Sequence, residues 1–205
     1  MRLAYTGRHD MAVATHLSFD CFLRIGELCN LRVRNIAVDG DDRIAAEHRG
    51  MMVSLDNTKT GRDQAVRVHD PQVERLMEDM LRGKSRHSNA LLFPFSTATY
   101  WRHFKNACAH LGLDRRLTTH SLRHGGATRW HHVLGRSLEQ VSHRLRHASL
   151  KSSIRYIQSG VALLMQRRAP QRIVRAGGVW CTDIRRHLAL AQRHYAGLGT
   201  LTPQR

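Results

Sequence analysis

The sequence is short of acidic residues, aromatic residues and cysteines, and each shortage narrows what the protein can be. Only 16 Asp and Glu stand against 33 Lys and Arg, which gives a formal net charge of +17. Such a charge favours a polyanionic partner, although DNA, RNA and an acidic membrane surface would all satisfy it. Aromatic residues make up 6% of the chain, so the core must be mostly aliphatic. The four cysteines form no Cys-x-x-Cys pair, which argues against a disulfide framework and a zinc site.

Two further absences concern membranes and metals. No apolar run approaches the roughly 18 residues of a membrane span, and the N-terminus lacks a signal-peptide pattern. We therefore expect an intracellular protein with no membrane partner. His131, His132, His143 and His147 are close in sequence, but no cysteine or carboxylate completes a ligand set, so we predict no bound metal.

The positive charge is concentrated in one part of the chain. Residues 1–100 carry 14 basic and 13 acidic side chains, whereas residues 101–175 carry 15 basic and 2 acidic side chains. A solvated basic face would give the same numbers. The basic segment also contains reactive side chains, described below, and their presence favours a nucleic-acid surface.

Hydrophobic spacing predicts an α+β domain, mainly helical with one small antiparallel sheet. A first helix is predicted over residues 9–30. Residues 51–55 and 65–68 are strand-like runs on either side of a polar, glycine-containing turn, which predicts a β-hairpin. Pro71 is expected to begin another helix, since proline fits a first turn. The remaining predicted helices cover residues 97–111, 120–134, 137–146, 150–168 and 181–195.

Two residue pairs with a spacing of three carry the first chemical signals, because residues three apart share a helix face. His120 and Arg123 would bring a proton-transfer group and a phosphate-binding fork to one phosphate, and the alternative is an exposed surface pair. Arg24 and Glu27 form either a structural ion pair or a substrate-binding arginine oriented by a carboxylate.

A lysine, a second histidine and a tyrosine complete the set. Lys59 lies in the predicted hairpin turn, where its ammonium can protonate a departing oxygen, and Arg62 is a competing candidate. His147 precedes a predicted helix that carries Tyr156. A phenol is a poor nucleophile at neutral pH, but guanidinium groups and an imidazole nearby make the phenolate less costly. A turn lysine is otherwise solvated, and a helical tyrosine is otherwise a core or rim residue.

In this order the residues resemble the pattern of the tyrosine recombinase (phage integrase) family, which is Arg, Lys, His-x-x-Arg, His or Trp, then Tyr. The resemblance covers roughly residues 10–160. The six positions are filled by Arg24, Lys59, His120, Arg123, His147 and Tyr156. Glu27 matches the acidic residue of the family's first arginine box. The string from His120 to Thr128 is most similar to recombinases of eukaryotic mobile elements, such as DIRS-like retroelements and cryptons, and phage and bacterial relatives share much of it.

The chain also departs from the family. No segment of domain size precedes residue 10, so we expect the family's separate core-binding domain to be absent and the chain to be either a catalytic fragment of a longer protein or a truncated relic. The expected organisation is a catalytic domain at 1–160 and a C-terminal helical tail at 161–205. In the family a C-terminal helix commonly docks on a neighbouring protomer, but a helix packed on its own domain would have the same sequence pattern. The residue before the second histidine, usually glycine in the family, is Arg146 here.

The resemblance implies a covalent mechanism on DNA. Tyr156 would attack a phosphate and form a 3′-phosphotyrosine, while Arg24 and Arg123 clamp the non-bridging oxygens. Lys59 would protonate the departing 5′ oxygen, and His120 would assist proton transfer.

The second histidine, His147, would hydrogen-bond the phosphate. No metal or nucleotide cofactor is implied. The implied partners are double-stranded DNA and further copies of the chain, as a dimer or tetramer on DNA. Further nucleic-acid contacts are expected at Arg62, Arg146 and Lys151.

Three other functions stay open at this point. A type IB topoisomerase-like relaxase shares the chemistry but acts without site choice. A catalytically inactive, DNA-binding remnant of a mobile-element integrase would bind DNA without forming an adduct. An RNA-binding module is the least supported, because the aromatic residues of the basic segment form no stacking motif.

Overall fold

The computed structural model describes residues 2–45, 49–58, 61–147, 149–154, 157, 170–172, 189 and 193. The helices are α1 (Arg2–Tyr5), α2 (His9–Cys21), α3 (Ile25–Asn30), α4 (Pro71–Leu81), α5 (Thr97–His110), α6 (Thr119–His132), α7 (Leu138–Leu145) and α8 (Leu150–Ile154). The strands are β1 (Ile36–Ala37), β2 (Met52–Thr58) and β3 (Gly61–Arg67), and a short 3-10 helix covers Val33–Asn35. This mainly helical fold with one antiparallel sheet confirms the predicted α+β class.

The first predicted helix is wrong in one respect, because it is broken at Phe22. This residue has φ 52° and ψ 42°, in the left-handed region, and its N–H donates to the carbonyl of Ser18. The N–H of Leu23 donates to the same carbonyl at 3.1 Å, which closes α2 with a Schellman-type turn. Apolar spacing continues across the break, so the sequence pattern predicted one helix over 9–30. The break makes Arg24 the N-cap of α3.

The predicted hairpin is present and its strands are longer than expected. β2 and β3 pair in register from Met52 opposite Arg67 to Thr58 opposite Gly61. β1 adds a third antiparallel strand, with Ile36 opposite Val53. Lys59 lies outside the described residues.

The later helices begin and end close to where the sequence predicted them. Asp70 accepts a hydrogen bond from the backbone N–H of Gln72 at 2.9 Å, and Pro71 occupies the first turn of α4. α5, α6 and α7 confirm three further predicted helices. The predicted helix 150–168 is described only as far as Ile154, and the one at 181–195 lies outside the described residues apart from 189 and 193.

A close approach between α2 and α6 positions the site. A Cβ atom at Gly126 would lie 2.2 Å from the carbonyl oxygen of Phe19 and 2.7 Å from the ring of Phe22, so a side chain cannot fit there. The larger apolar core packs α1 to α4 with the sheet. A second, smaller core joins the end of α2 to α6 and α7; it consists of Phe22, Ala127, Trp130, Val141 and Leu145. Arg123, one turn before Gly126, is therefore held against the C-terminal end of α2.

Candidate active site

The centre of the site is the carboxylate of Glu27, in the first turn of α3. Its Oε2 accepts the backbone N–H of Arg24 at 2.8 Å, and its Oε1 accepts Nη1 of Arg24 at 2.6 Å. A glutamate at this position of a helix commonly returns to the N-cap backbone in this way. The Glu27 side chain is 5% exposed and that of Arg24 is 22% exposed. Arg24 is thus fixed in orientation and still reaches the surface.

Arg123 reaches the same carboxylate from α6. Its Nη1 lies 4.0 Å from Glu27 Oε2. Nη1 also donates to the carbonyl of Phe22, and Nη2 donates to the carbonyl of Leu145. The side chain is 0% exposed. Arg123 therefore joins the ends of α2 and α7 and places a buried positive charge beside Glu27.

A third arginine, Arg146, binds Glu27 from the C-terminal end of α7. Its Nη2 donates to Glu27 Oε2 at 2.8 Å and to the carbonyl of Phe22 at 3.1 Å. The residue is 8% exposed. The guanidinium is thus turned into the protein, and a contact of Arg146 with nucleic acid stays a prediction. Below, the arginine cluster means Arg24, Arg123 and Arg146 around Glu27.

The arginine cluster carries an excess of positive charge. Among the described residues, Glu27 is the only carboxylate within 4.0 Å of these three guanidinium groups. Burial raises the pKa of Glu27, but the charge of Arg146 and the hydrogen bonds from Arg24 outweigh it, so the pKa lies below its ordinary value. Glu27 is consequently ionised at neutral pH, and the remaining positive charge favours an anion.

His147 follows Arg146 directly and is held by two serines. Its Nδ1 lies 3.0 Å from Oγ of Ser153 in α8, and Ser153 Oγ donates to Oγ of Ser142 in α7 at 2.8 Å. Burial lowers the pKa of His147 to about 4, and the positive charges of the arginine cluster act in the same direction. This imidazole is therefore neutral at physiological pH.

His120 stands at the entrance of the site, in the first turn of α6. Its ring contacts that of His124 edge-on, with 4.8 Å between centroids. The pKa of His120 is lowered by partial burial first, and then by the charges of His124, Arg123 and Arg24. His120 and Arg123 thus share a helix face as the spacing predicted, with the histidine exposed and the arginine buried.

The structure leaves part of the predicted site untested. Lys59 and Tyr156 lie outside the described residues, and of Arg62 only the backbone of β3 is described. Lys151 is exposed on α8. Four of the six predicted positions are described, and the electrostatic interactions of His120 and His147 with Arg24 and Arg123 place them in one region.

Sequence reasoning missed a second buried ion pair behind the site. Arg144 donates to the carbonyl of Asp20 at 2.7 Å and lies 3.3 Å from its carboxylate. Its guanidinium carbon also lies over the ring of Trp130, 4.3 Å from the ring centroid, in a cation–π contact. No sequence pattern indicated this contact, because the two residues are 124 positions apart and match no motif.

The described residues show neither a membrane-spanning helix nor a metal cluster. No helix in this part of the chain is long and apolar enough to cross a membrane. Within the same residues, no group of three or more His, Cys, Asp or Glu side chains is arranged to hold a metal ion. The described site presents guanidinium and imidazole groups, which suit an anionic group such as a phosphate.

Comparison with known proteins gives a family and a fold. The model of the phage integrase family matches residues 5–162. A comparison with curated protein sequences gave no match.

Three solved structures illustrate the likeness in fold. XerA recombinase has a TM-score of 0.58 and 22% identity, over 82% of this chain and 59% of that protein. XerH site-specific recombinase, in a post-cleavage complex with a palindromic difH substrate, has a TM-score of 0.59 and 21% identity, over 84% of this chain and 46% of that protein. A lambda integrase dimer bound to a COC′ core site has a TM-score of 0.53 and 19% identity, over 73% of this chain and 42% of that protein. The chain thus spans well under two thirds of each of these proteins.

Proposed function

The chain belongs to the phage integrase family, and we propose that it cuts and rejoins double-stranded DNA in site-specific recombination, through a covalent 3′-phosphotyrosine at Tyr156. The observation that carries this proposal is the arginine cluster. Three guanidinium groups surround one carboxylate, next to two imidazoles of lowered pKa. Such an excess of positive charge would stabilise the negative charge on a phosphate during its transfer.

Arg24 is the arginine best placed to touch the phosphate. One of its Nη atoms is bound to Glu27, but a guanidinium has five N–H donors, and the side chain is 22% exposed. Arg123 is closed to solvent, so a direct contact requires the side chains above it to move. The buried charge of Arg123 attracts the phosphate with or without direct contact, because electrostatic interactions are strong where water is excluded.

The proposed reaction exchanges one phosphodiester bond for another. The phenol oxygen of Tyr156 attacks phosphorus, the bond to the 5′ oxygen breaks, and Lys59 gives that oxygen a proton. A neutral imidazole can take up the proton that the phenol gives up, and both His120 and His147 have lowered pKa values. The phosphotyrosine retains the bond energy needed for rejoining, so no cofactor is required.

Double-stranded DNA is the proposed partner, with two or four copies of the chain on one site. The basic segment 101–175 supports this, as do the XerH and lambda integrase structures, which contain DNA. The compartment would follow the DNA: the nucleus in a eukaryotic host and the nucleoid in a prokaryotic one. The likeness to eukaryotic mobile-element recombinases and a protomer-docking tail stay predictions.

A suicide-substrate assay tests the proposal. Nicked duplexes carrying candidate element ends are incubated with the wild-type chain, with Tyr156→Phe, and with Tyr100→Phe as the matched control. Tyr100 is 0% exposed, and its hydroxyl is hydrogen-bonded to the Thr15 hydroxyl at 2.8 Å, so it cannot attack DNA. A detergent-stable adduct is expected with wild type and the control and not with Tyr156→Phe.

The other outcomes distinguish the alternatives. Salt-dependent DNA binding without an adduct on any substrate would indicate an inactive, DNA-binding protein. Relaxation of supercoiled DNA at random sites would indicate a topoisomerase. An adduct that persists in Tyr156→Phe would contradict the choice of nucleophile.

A further inference from the structure

Arg146 has a backbone conformation that arginine rarely adopts. Its φ is 55° and its ψ is 44°, and it is the C-cap of α7. A non-glycine residue in this sparsely populated region is strained and persists only where the surroundings hold it there. The corresponding position in the family pattern is usually glycine, which adopts this conformation without strain. The side chain must therefore be part of what keeps the residue there.

The Arg146 side chain donates hydrogen bonds to four acceptors in the described part of the protein. Nη1 donates to the carbonyls of Cys21 at 3.3 Å and Arg144 at 3.1 Å. Nη2 donates to the carbonyl of Phe22 at 3.1 Å and to Glu27 at 2.8 Å. The guanidinium thus satisfies the last carbonyls of α2, where a helix end favours a cation.

These contacts lie on both sides of Arg24 in the sequence. Phe22 precedes Arg24 by two residues, and Glu27 is the residue whose carboxylate fixes the Arg24 guanidinium. Glu27 Oε2 accepts both the Arg24 N–H and Arg146 Nη2, each at 2.8 Å. Without Arg146, this carboxylate would lose one of its two closest cationic partners.

We propose that Arg146 is a positioning residue of the site: its side chain fixes Glu27 and through it Arg24, while its left-handed backbone delivers His147. It does not itself touch DNA. The inference rests on the proposed recombinase function for its activity readout, and it adds to the site a residue that stands where the family usually has glycine.

The pKa of Glu27 is a measurable quantity that should change only if Arg146 acts directly on this carboxylate. After burial, which raises the pKa of Glu27, the charge of Arg146 is the largest influence and lowers it. The groups facing Glu27 are the arginine cluster itself, together with Arg32, Arg34 and Asp56, which line the adjacent cavity of about 360 Å³. Removal of the Arg146 charge should therefore raise the pKa of Glu27.

The experiment compares Arg146→Met, Arg146→Lys and Arg146→Gly with wild type in the 205-residue chain. Arg75→Met, an exposed arginine on α4 outside the site, is the matched control. Measurements are the single-turnover rate of adduct formation against pH, DNA affinity against salt, and the titration of the Glu27 carboxyl by carbon-13 NMR without DNA. Thermal unfolding shows that each variant is folded.

We expect Arg146→Met to slow adduct formation by about tenfold to a hundredfold, since loss of positioning has effects of that order. DNA affinity should stay within about twofold of wild type, because a buried guanidinium contributes no phosphate contact. The acid limb of the rate profile and the Glu27 titration should both move to higher pH. Arg146→Lys keeps the positive charge, so its rate profile and its Glu27 titration should lie close to those of wild type. Arg146→Gly relieves the backbone strain but lacks the charge, so its rate and its Glu27 titration should match those of Arg146→Met.

Two results would overturn the proposal. If Arg146→Gly reacts like wild type with an unmoved Glu27 titration, the side chain positions nothing. If Arg146→Met loses affinity in proportion to rate, with a salt slope smaller by about one, Arg146 is a phosphate contact. A wild-type chain that forms no adduct speaks against the recombinase function alone, because the Glu27 titration still decides for or against the positioning role.

Discussion

Replacement of Glu27 by Gln removes the one carboxylate that the described structure places among three buried or half-buried guanidinium groups. Glutamine keeps the shape and one carbonyl acceptor, but its amide N–H groups would face the donors of Arg24 and Arg146. Breaking a buried ion pair by removing one partner costs about 3–5 kcal/mol. Because one acceptor remains, we expect the lower end, a loss of about 3 kcal/mol in the free energy of unfolding at pH 7.

The effect should depend on pH in one direction. The pKa of Glu27 in the folded protein lies below its ordinary value of 4.5, so the wild-type carboxylate stabilises the fold above that pH. This stabilisation is lost as the pH falls through the folded-state value, because the unfolded chain takes up the proton first. At pH 4 the difference between wild type and Glu27→Gln should already be smaller by about 0.8 kcal/mol, provided that folded Glu27 is still ionised.

Urea unfolding at pH 7, 5 and 4, followed by circular dichroism, measures these differences. Glu78→Gln is the matched control, since Glu78 is exposed on α4, and it should change stability by less than about 0.5 kcal/mol. A loss below about 1 kcal/mol for Glu27→Gln at pH 7, or an equal loss at pH 7 and pH 4, would refute the view that the carboxylate holds the arginine cluster together.

Two other substitutions test the packing and the histidine orientation. Gly126→Ala should destabilise the fold by about 2–3 kcal/mol in urea unfolding, because its Cβ would lie 2.2 Å from the carbonyl oxygen of Phe19. Gly26→Ala is the control and should be neutral or stabilising, because nothing lies within 4 Å of its Cβ. Equal effects of the two substitutions would contradict the close approach of α2 and α6. Ser153→Ala should cost about 1–2 kcal/mol and slow adduct formation without weakening DNA binding, since it removes the bonds to His147 and Ser142, whereas the exposed Ser152→Ala should leave both unchanged.

Two residue pairs of the candidate site were visible in the sequence because each pair lies in a short string with fixed spacing. Arg24 with Glu27, and His120 with Arg123, can each be read as neighbours on one helix turn. The helices α5, α6 and α7 were predictable for the same reason, since their caps and apolar periodicity are local. These signals need no knowledge of distant contacts.

What the sequence did not predict depends on contacts between distant segments. Phe22 breaks the first helix in a left-handed conformation that normally favours glycine, and its aromatic character gave no such signal. Arg146 was predicted as a nucleic-acid contact, and no local pattern indicated that its guanidinium is buried, with Glu27 and the end of α2 accepting its hydrogen bonds. Both outcomes result from tertiary packing, which local propensity does not contain.

The carbonyl of Phe22 also determines when the site can exist. It accepts hydrogen bonds from guanidinium groups that lie 101 and 124 residues later in the chain. During synthesis the N-terminal segments leave the ribosome first, and contacts of long sequence separation form last. A nascent chain that ends before Arg146 therefore has no assembled arginine cluster, so the proposed reaction cannot begin until α7 and the residues after it have been synthesised.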